Sequence, residues 1–328
     1  MFIITGGAGF IGSNLAAALE KAGLGPLVIC DWTGDAEKML NLAKRKLEKR
    51  ITPEELPAFL KAQGKRVNAV FHMGAISSTT ETDVAKITTY NVDFTTNLLL
   101  WCADNGKRMI YASSAATYGN GEHGFDDRED LEYLKKLHPM NLYGWSKNVV
   151  DQYLVDHHGK GKKSPPQWVG LKFFNVYGPN EYHKEGQRSV AHQIYPFAAR
   201  DEAFALFKSR NPAYPDGGQK RDFVWVGDCC SVMLWLYKHP EVSGLFNVGS
   251  GKARSFLDLA SAVYRAAGRE PKITYRDMPE NIRTHYQYFT EASMEKLRNA
   301  GYTAPLTSLE DGINSYIKDY LAKDDPYC

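Results

Sequence analysis

At 328 residues with 43% hydrophobic content, the chain can bury a substantial core, and at roughly 100–200 residues per domain it has room for one or two lobes. Forty Lys and Arg against 38 Asp and Glu leave a formal net charge of +2, far from the basic excess with which nucleic-acid-binding proteins displace counterions. No run of ~18 apolar residues is present, and Met1 opens directly into a strand-like run, so neither a membrane span nor a signal segment is expected and the cytoplasm is the expected compartment.

The chain begins with a β-branched apolar stretch, FIIT at residues 2–5, followed by glycines and then by apolar residues at helical spacing from Phe10 to Lys21. Further apolar runs (LVICD ending at Asp31, NAVFH around Phe71, RMIYA around Tyr111) alternate with helical patterns near residues 35–48, 53–63 and 83–104. That alternation predicts an α/β fold, a doubly wound parallel sheet of the Rossmann type, over the first ~150 residues. Beyond it, Pro and Gly clusters at 159–166, 177–182 and 211–218 interrupt the pattern and predict loops that build a smaller, mixed α/β lobe. Strand-like segments WVGLKFF, RDFVWV and GLFNV predict that the chain keeps returning to the main sheet. The division expected is a nucleotide-binding domain over residues 1–171 and a substrate lobe over 172–328, with segments near 220–250 returning to the first. The basic stretch Lys160 to Lys163 reads as a solvated loop. Cys30, Cys102, Cys229, Cys230 and Cys328 are scattered without metal-ligand spacing; they read as core filler, and no metal site is expected.

Three motifs carry chemistry. GGAGFIG places Gly6, Gly9 and Gly12 between a strand and a helix, where the backbone can turn tightly and approach a pyrophosphate at the helix N-terminus. Asp31, about twenty residues on at the end of the second strand, can bind a ribose hydroxyl. A carboxylate there favours NAD over NADP by repelling a 2′-phosphate, whereas Lys38 just beyond can neutralise one, so both cofactors stay open at this point. NLYGWSK sets Tyr143 and Lys147 four apart on one helix face, and a nearby ammonium helps a phenol, which ordinarily titrates near ~10, to act as a base. SSAATYG at a strand end supplies Ser114, whose hydroxyl can bond the same substrate oxygen.

These motifs, with RDFVWVGD around Arg221, resemble the extended short-chain dehydrogenase/reductases that modify nucleotide sugars. Within them FHMGAISSTTETD, FFNVYGPNEYHKEG, FNVGSGKARSF and HYQYFTEASMEKLRNAGY are similar, in order and over nearly the whole chain, to the ADP-L-glycero-D-manno-heptose 6-epimerases of lipopolysaccharide synthesis. The resemblance implies that Phe10 and Ile11 meet a cofactor pyrophosphate, that Asp31, Trp32 and Lys38 surround the adenosine ribose, and that Met73, Gly74, Ala75, Ile76 and Ser77 line the cofactor with Asn91 and Val176. Lys38 falls where the family's phosphate-binding lysine lies, which implies NADP, whereas a second family lysine near residue 53 has no match, which keeps NAD open. For an ADP-heptose substrate it implies Asn175, Arg221 and Tyr286 as holding residues, Phe207, Lys208 and Ser209 at the nucleotide, and Lys184 as a second base opposite Tyr143. Gly186 and Gln193 stand where the family has a serine and a histidine, with His192 one place displaced, and NPAYPDGG resembles an insertion. A homo-oligomer is implied as well.

Inversion at an unactivated carbon calls for transient oxidation by a bound cofactor, with an acid/base group on each side. A 4,6-dehydratase places an acidic pair just after the strand serine, where this chain has Ala115 and Ala116. A nucleotide-sugar 4-epimerase shares Ser114, Tyr143 and Lys147 and differs only in the pocket. A non-catalytic sensor or scaffold has no use for that triad.

Overall fold

A computed structural model of the chain describes residues 1–283 and 286–328. Among the described residues there are twelve strands: β1 (Phe2–Thr5), β2 (Leu27–Cys30), β3 (Lys49–Ile51), β4 (Ala69–His72), β5 (Arg108–Ser114) and β6 (Trp168–Phe173) come first. They are followed by β7 (Asn175–Tyr177), β8 (Phe204–Phe207), β9 (Lys220–Trp225), β10 (Gly244–Val248), β11 (Ala253–Ser255) and β12 (Ile273–Arg276). Seven of them form one parallel sheet in the order β10-β6-β5-β4-β1-β2-β3. All four residues of β1, β2 and β4 are buried, as a sheet covered on both faces by helices requires. The order in which the chain adds strands reverses between β1 and β4, so a crevice opens beyond their carboxyl ends.

The predicted doubly wound fold is present, with three local differences. The 35–48 region is helical only over Ala36–Leu40 and then enters β3, whose KRI sequence is mostly exposed and carries no apolar run. The helix expected over 53–63 begins at Leu56, because Pro53 and the turn at Thr52 occupy its first residues. RDFVWV does not return to the main sheet: β9 lies between β7 and β11 in a separate three-stranded sheet, while WVGLKFF and GLFNV do join the large one as β6 and β10. A second small sheet pairs β8 with β12.

One residue, Phe174, separates β6 from β7, and its amide bonds the carbonyl of Val248 at the end of β10 at 3.0 Å. The core divides accordingly, one cluster filling the space around the large sheet and another, including Tyr177, Ile194, Tyr264 and Tyr316, lying under the small ones. Cys30, Cys102, Cys229 and Cys230 are buried. Among the described residues no helix is long and apolar enough to cross a membrane.

Under β5 and β6 lies a fully buried ion pair, Lys172 Nζ to Asp151 Oδ2 at 2.6 Å. Asp151 also accepts hydrogen bonds from Tyr111 (2.8 Å) and Ser113 (2.7 Å), and Lys172 donates to Thr117 Oγ1 at 2.8 Å. Such a pair adds little net stability, yet removing one partner strands a charge away from water. Lys172→Met is therefore expected to cost about 3–5 kcal/mol of unfolding free energy. Urea titration checks this, and a loss below ~1 kcal/mol would show the carboxylate finding other compensation.

Candidate active site

The glycine motif forms the floor of the crevice. Gly6 sits at φ +62°, and a Cβ there would lie 2.5 Å from Gly74 Cα, so β1 and β4 approach too closely at their ends for any side chain. The helix Phe10–Lys21 begins at Gly9 with no side-chain cap, which leaves its first-turn amides free to face an anion. The residues present fit a dinucleotide: a cradle without side chains, uncapped amides, and Asp31 at the end of β2.

Asp31 is held rigidly. One carboxylate oxygen accepts from the Ala8 amide at 3.0 Å; the other accepts from the Trp32 amide at 2.8 Å and from Lys38 Nζ at 2.6 Å. Trp32 packs edge-on against Tyr90 and donates to Glu54 at 3.0 Å. Pro53 lines the cleft near them, offering no cation.

The cleft has a volume of about 1020 Å³. Its wall includes Gly6, Gly9, Phe10, Ile11, Gly12, Asp31, Trp32 and Lys38 from the first half of the sheet, and the segment Met73 to Ser77 from the loop after β4. Ser114, Tyr143, Lys147, Asn175, Val176, Lys184 and Gly186 complete the set that the sequence predicts and the fold brings together. Tyr143 and Lys147 lie on the helix Leu142–Gly159, whose start is fixed by the Asn141 side chain accepting from the Gly144 amide at 2.8 Å. The Lys147 ammonium lies 5.8 Å from the centre of the Tyr143 ring. Burial pushes the Tyr143 phenol up and the Ser114 hydroxyl draws it part of the way back. Burial lowers Lys147 to about 8, against the opposing pull of Asp151 one turn along the helix.

Lys184 comes from the turn Tyr182–Gln187 and lies over the Phe10 ring at 5.5 Å from its centre. Burial lowers its pKa, with Glu181 opposing. Glu181 is buried and anchors this turn, accepting from the Ser189 hydroxyl at 2.7 Å and the Tyr316 hydroxyl at 2.8 Å.

Other predicted residues stand off the wall. Asn91 is wholly buried behind the loop after β4, its amide accepting from Ile76 N at 2.7 Å and donating to Ile76 O at 3.0 Å, so it shapes the wall without facing the cleft. Arg221 lies behind Phe256, which does line the cleft, with its guanidinium 5.6 Å from that ring and 5.3 Å from the Tyr286 ring. Phe207 ends β8, Lys208 pairs with Asp277 at 3.5 Å, and the Ser209 hydroxyl turns back to Asn211 O. His192 packs on Tyr182 with ring centres 5.6 Å apart, and Gln193 is exposed and donates to Arg188 O. His285, which opens the HYQYFT motif, lies outside the described residues.

Sequence reasoning missed His183, Arg188, Phe223, Phe256 and Leu259, which also line the cleft. His183, Phe223 and Phe256 stood inside quoted motifs (YHKEG, RDFVWVGD and FNVGSGKARSF) without being singled out, while Arg188 and Leu259 are ordinary residues until the fold gathers them. Away from the cleft, the exposed residues Glu122, His123 and His138 each bring one ligand atom within 4.8 Å of the others, from positions whose spacing in the chain announces nothing.

The fold and the cleft define a class, enzymes that hold a nicotinamide dinucleotide at the switch point of a parallel sheet beside a tyrosine–lysine–serine set. The chain belongs to the NAD dependent epimerase/dehydratase family, which residues 2–249 match. Within that family it is 45% identical, over all of both chains, to a protein of Nitratidesulfovibrio vulgaris (strain DP4) named ADP-L-glycero-D-manno-heptose-6-epimerase. The crystal structure of the Helicobacter pylori ADP-L-glycero-D-manno-heptose-6-epimerase superposes with a TM-score of 0.76 at 28% identity, covering 97% of this chain and 95% of that one. The Thermus thermophilus UDP-glucose 4-epimerase in complex with NAD is similar at a TM-score of 0.71 and 25% identity, covering 96% of this chain and 97% of that one.

Because Lys147 titrates near 8 in the folded protein and 10.5 is its ordinary value, the unfolded chain holds a proton that the folded one has lost throughout that window. Its burial therefore costs stability in full below pH ~8, and the cost fades as pH rises toward ~10.5. Cofactor-stripped Lys147→Met is expected to be more stable than the parent at pH 7, by up to about 3 kcal/mol, with the gain vanishing at high pH. Denaturant titrations at pH 7 and pH 10 check this; a pH-independent difference would contradict it.

Proposed function

We propose that the chain interconverts the two C6 epimers of ADP-glycero-D-manno-heptose, with NADP as its resident cofactor. The observation that carries this reading is that Lys184, in the YHKEG turn, and Tyr143, beside Ser114, line one cleft but rise from different elements. A 4-epimerase reading leaves Lys184 without a task.

A bound nicotinamide dinucleotide supplies the reversible oxidation of the carbinol. Tyr143, with the Lys147 charge beside it, takes or returns the hydroxyl proton of one epimer, while Ser114 orients the oxygen. C6 is exocyclic, so rotation about the bond joining it to the ring presents the ketone's other face without release of the sugar nucleotide. The oxygen then points away from Tyr143, and Lys184 exchanges the proton on that side. Burial suits Lys184 to this work, because a depressed pKa keeps more of the amine in its basic form at neutral pH. Arg221 is packed between Phe256 and Tyr286, with its terminal nitrogens donating to the carbonyls of Lys220 and Gln287; as a guanidinium it is the kind of group that suits a diphosphate, and in this reading it exchanges those carbonyls for the substrate.

NADP is favoured by Lys38, the cation next to Asp31 at the adenosine end; its ammonium is placed to exchange the carboxylate for a 2′-phosphate. Assembly as a homo-oligomer in the cytoplasm belongs to the same reading. NADP is expected to bind more tightly than NAD to stripped protein, and Lys38→Ala to erode the difference; equal affinities in the parent would exclude the NADP assignment.

Tyr143→Phe and Lys184→Met are each expected to slow epimerisation ~10²–10⁴-fold with cofactor still bound. A mild Lys184 effect would reduce it to a binding residue. Turnover in heavy water should leave no deuterium on C6 of the product, and substantial incorporation there would exclude transient oxidation at that carbon.

A further inference from the structure

The loop after β4 that lines the cleft, residues 73–79, has no regular helix or strand of its own. Its backbone must be held by side chains, and one continuous buried chain of hydrogen bonds does so. The Gly74 amide donates to Thr5 Oγ1 at 3.3 Å, and Thr5 Oγ1 lies 2.6 Å from His72 Nδ1. His72 Nε2 lies 2.7 Å from Thr95 Oγ1, which donates to Asn91 O at 2.6 Å. The Asn91 amide then grips Ile76 and donates to Ser146 Oγ at 3.0 Å, and Ser146 donates to the carbonyl of Tyr143 at 2.7 Å.

The direction of this chain is dictated by its ends. Thr95 has one hydroxyl proton and spends it on Asn91 O, so His72 Nε2 must carry a proton and donate. Nδ1 is then bare and accepts the Thr5 hydroxyl, whose oxygen in turn accepts the Gly74 amide. The Nδ1–H tautomer would leave no proton between Nε2 and Thr95 Oγ1, and an imidazolium would leave the Thr5 hydroxyl proton without an acceptor in this chain, so the neutral Nε2–H tautomer is the one that satisfies every group. His72 is wholly buried and stacks on Phe94 with ring centres 5.7 Å apart. Burial, aided by the Lys147 charge, lowers its pKa to about 3.

From this geometry we infer that His72 is a positioning residue, locked in one neutral tautomer, that couples the backbone of the cofactor loop at Gly74–Ile76 to the placement of Tyr143 on its helix. Tyr143 stands in the first turn of that helix, where backbone amides lack intrahelical partners and only that of Gly144 is taken by the Asn141 cap. The chain therefore ties the first turn of the helix carrying Tyr143 to the irregular part of the cofactor wall, through β1, β4 and the helix carrying Thr95. The inference rests on the reading of Tyr143 as the base, but its cofactor-loop half stands without it.

Two near-isosteric variants test it. Thr95→Val breaks the chain beyond His72, and Ser146→Ala breaks it before Tyr143. Each is expected to lower kcat about tenfold with KM for the sugar nucleotide unchanged, and to weaken cofactor binding to stripped protein several-fold. The double variant should lose no more than the worse single one, because groups on one chain do not act independently. Losses that multiply would overturn the coupling, as would unchanged kcat and cofactor affinity in folded variants. The cofactor titrations read the same coupling even if the substrate is another nucleotide sugar. Nitrogen-15 NMR of the parent protein should show His72 as the neutral Nε2–H tautomer from pH 5 to 9, and an Nδ1–H tautomer or an imidazolium in that range would equally overturn it.

Discussion

The close approach of β1 and β4 at their carboxyl ends governs the rest of the molecule. With Gly6 and Gly74 nearly in backbone contact, the two strands leave the sheet together and their loops part in opposite directions. One loop enters the uncapped helix at Phe10 and the other becomes the irregular wall at residues 73–79. A methyl group at Gly6 would push these ends apart and also require a residue with a side chain to sit at positive φ. The crevice exists because two strands meet where no side chain fits, and the remaining groups of the site are arranged around it.

The electrostatics of the cleft follow one pattern on both flanks. Lys147 and Lys184 each have a carboxylate behind the amine: Asp151 raises the pKa of Lys147, and Glu181 raises that of Lys184, against the lowering effect of burial. Neither carboxylate lines the cleft. Asp151 is bound by Lys172, Tyr111 and Ser113, and Glu181 by Ser189 and Tyr316. The negative charges are thus fixed by the core while the amines face the space where chemistry takes place. An amine in this position balances between charged and neutral forms, which suits the two roles proposed for them, stabilising tyrosinate at Lys147 and trading a proton at Lys184.

Features carried by local sequence were legible in the chain. The glycine motif, Asp31, the Tyr143–Lys147 spacing and Ser114 sit within short stretches whose geometry is set by one strand end or one helix, and the fold assembles all of them in one cleft. β3 was not legible, because two of its three residues are charged and exposed and it is recruited by β2 and not by its own pattern. The same holds for RDFVWV: its alternation announces a strand, but which sheet a strand joins depends on β7 and β11, far away in sequence. Asn91 resembled a cofactor-facing residue and is instead the brace behind one. His72 read only as the end of an apolar strand, since the partners that give it meaning, Thr5 and Thr95, lie 67 and 23 residues away. The substrate end was least legible, because Arg221, Tyr286 and the 207–209 segment belong to the small sheets and loops, where tertiary packing and not local pattern decides which side chains face the cleft.

The single-residue link at Phe174 has a mechanical consequence. Its amide is tied to the edge of the large sheet, and its ring packs with Tyr118 and Phe125 at centre distances of 6.3 and 6.2 Å. The joint behaves as a rivet and not as a hinge, since turning there would break a sheet hydrogen bond and unpack an aromatic cluster in the same motion. Ser114, in register with Phe173, and Asn175 therefore keep a fixed separation on that wall of the cleft. Elsewhere on the cleft, the turn carrying Lys184 meets the loop after β4 through an exposed hydrogen bond, Gln187 to Ser78. An exposed hydrogen bond yields more readily than a buried aromatic joint, so the cleft is braced unequally on its two walls.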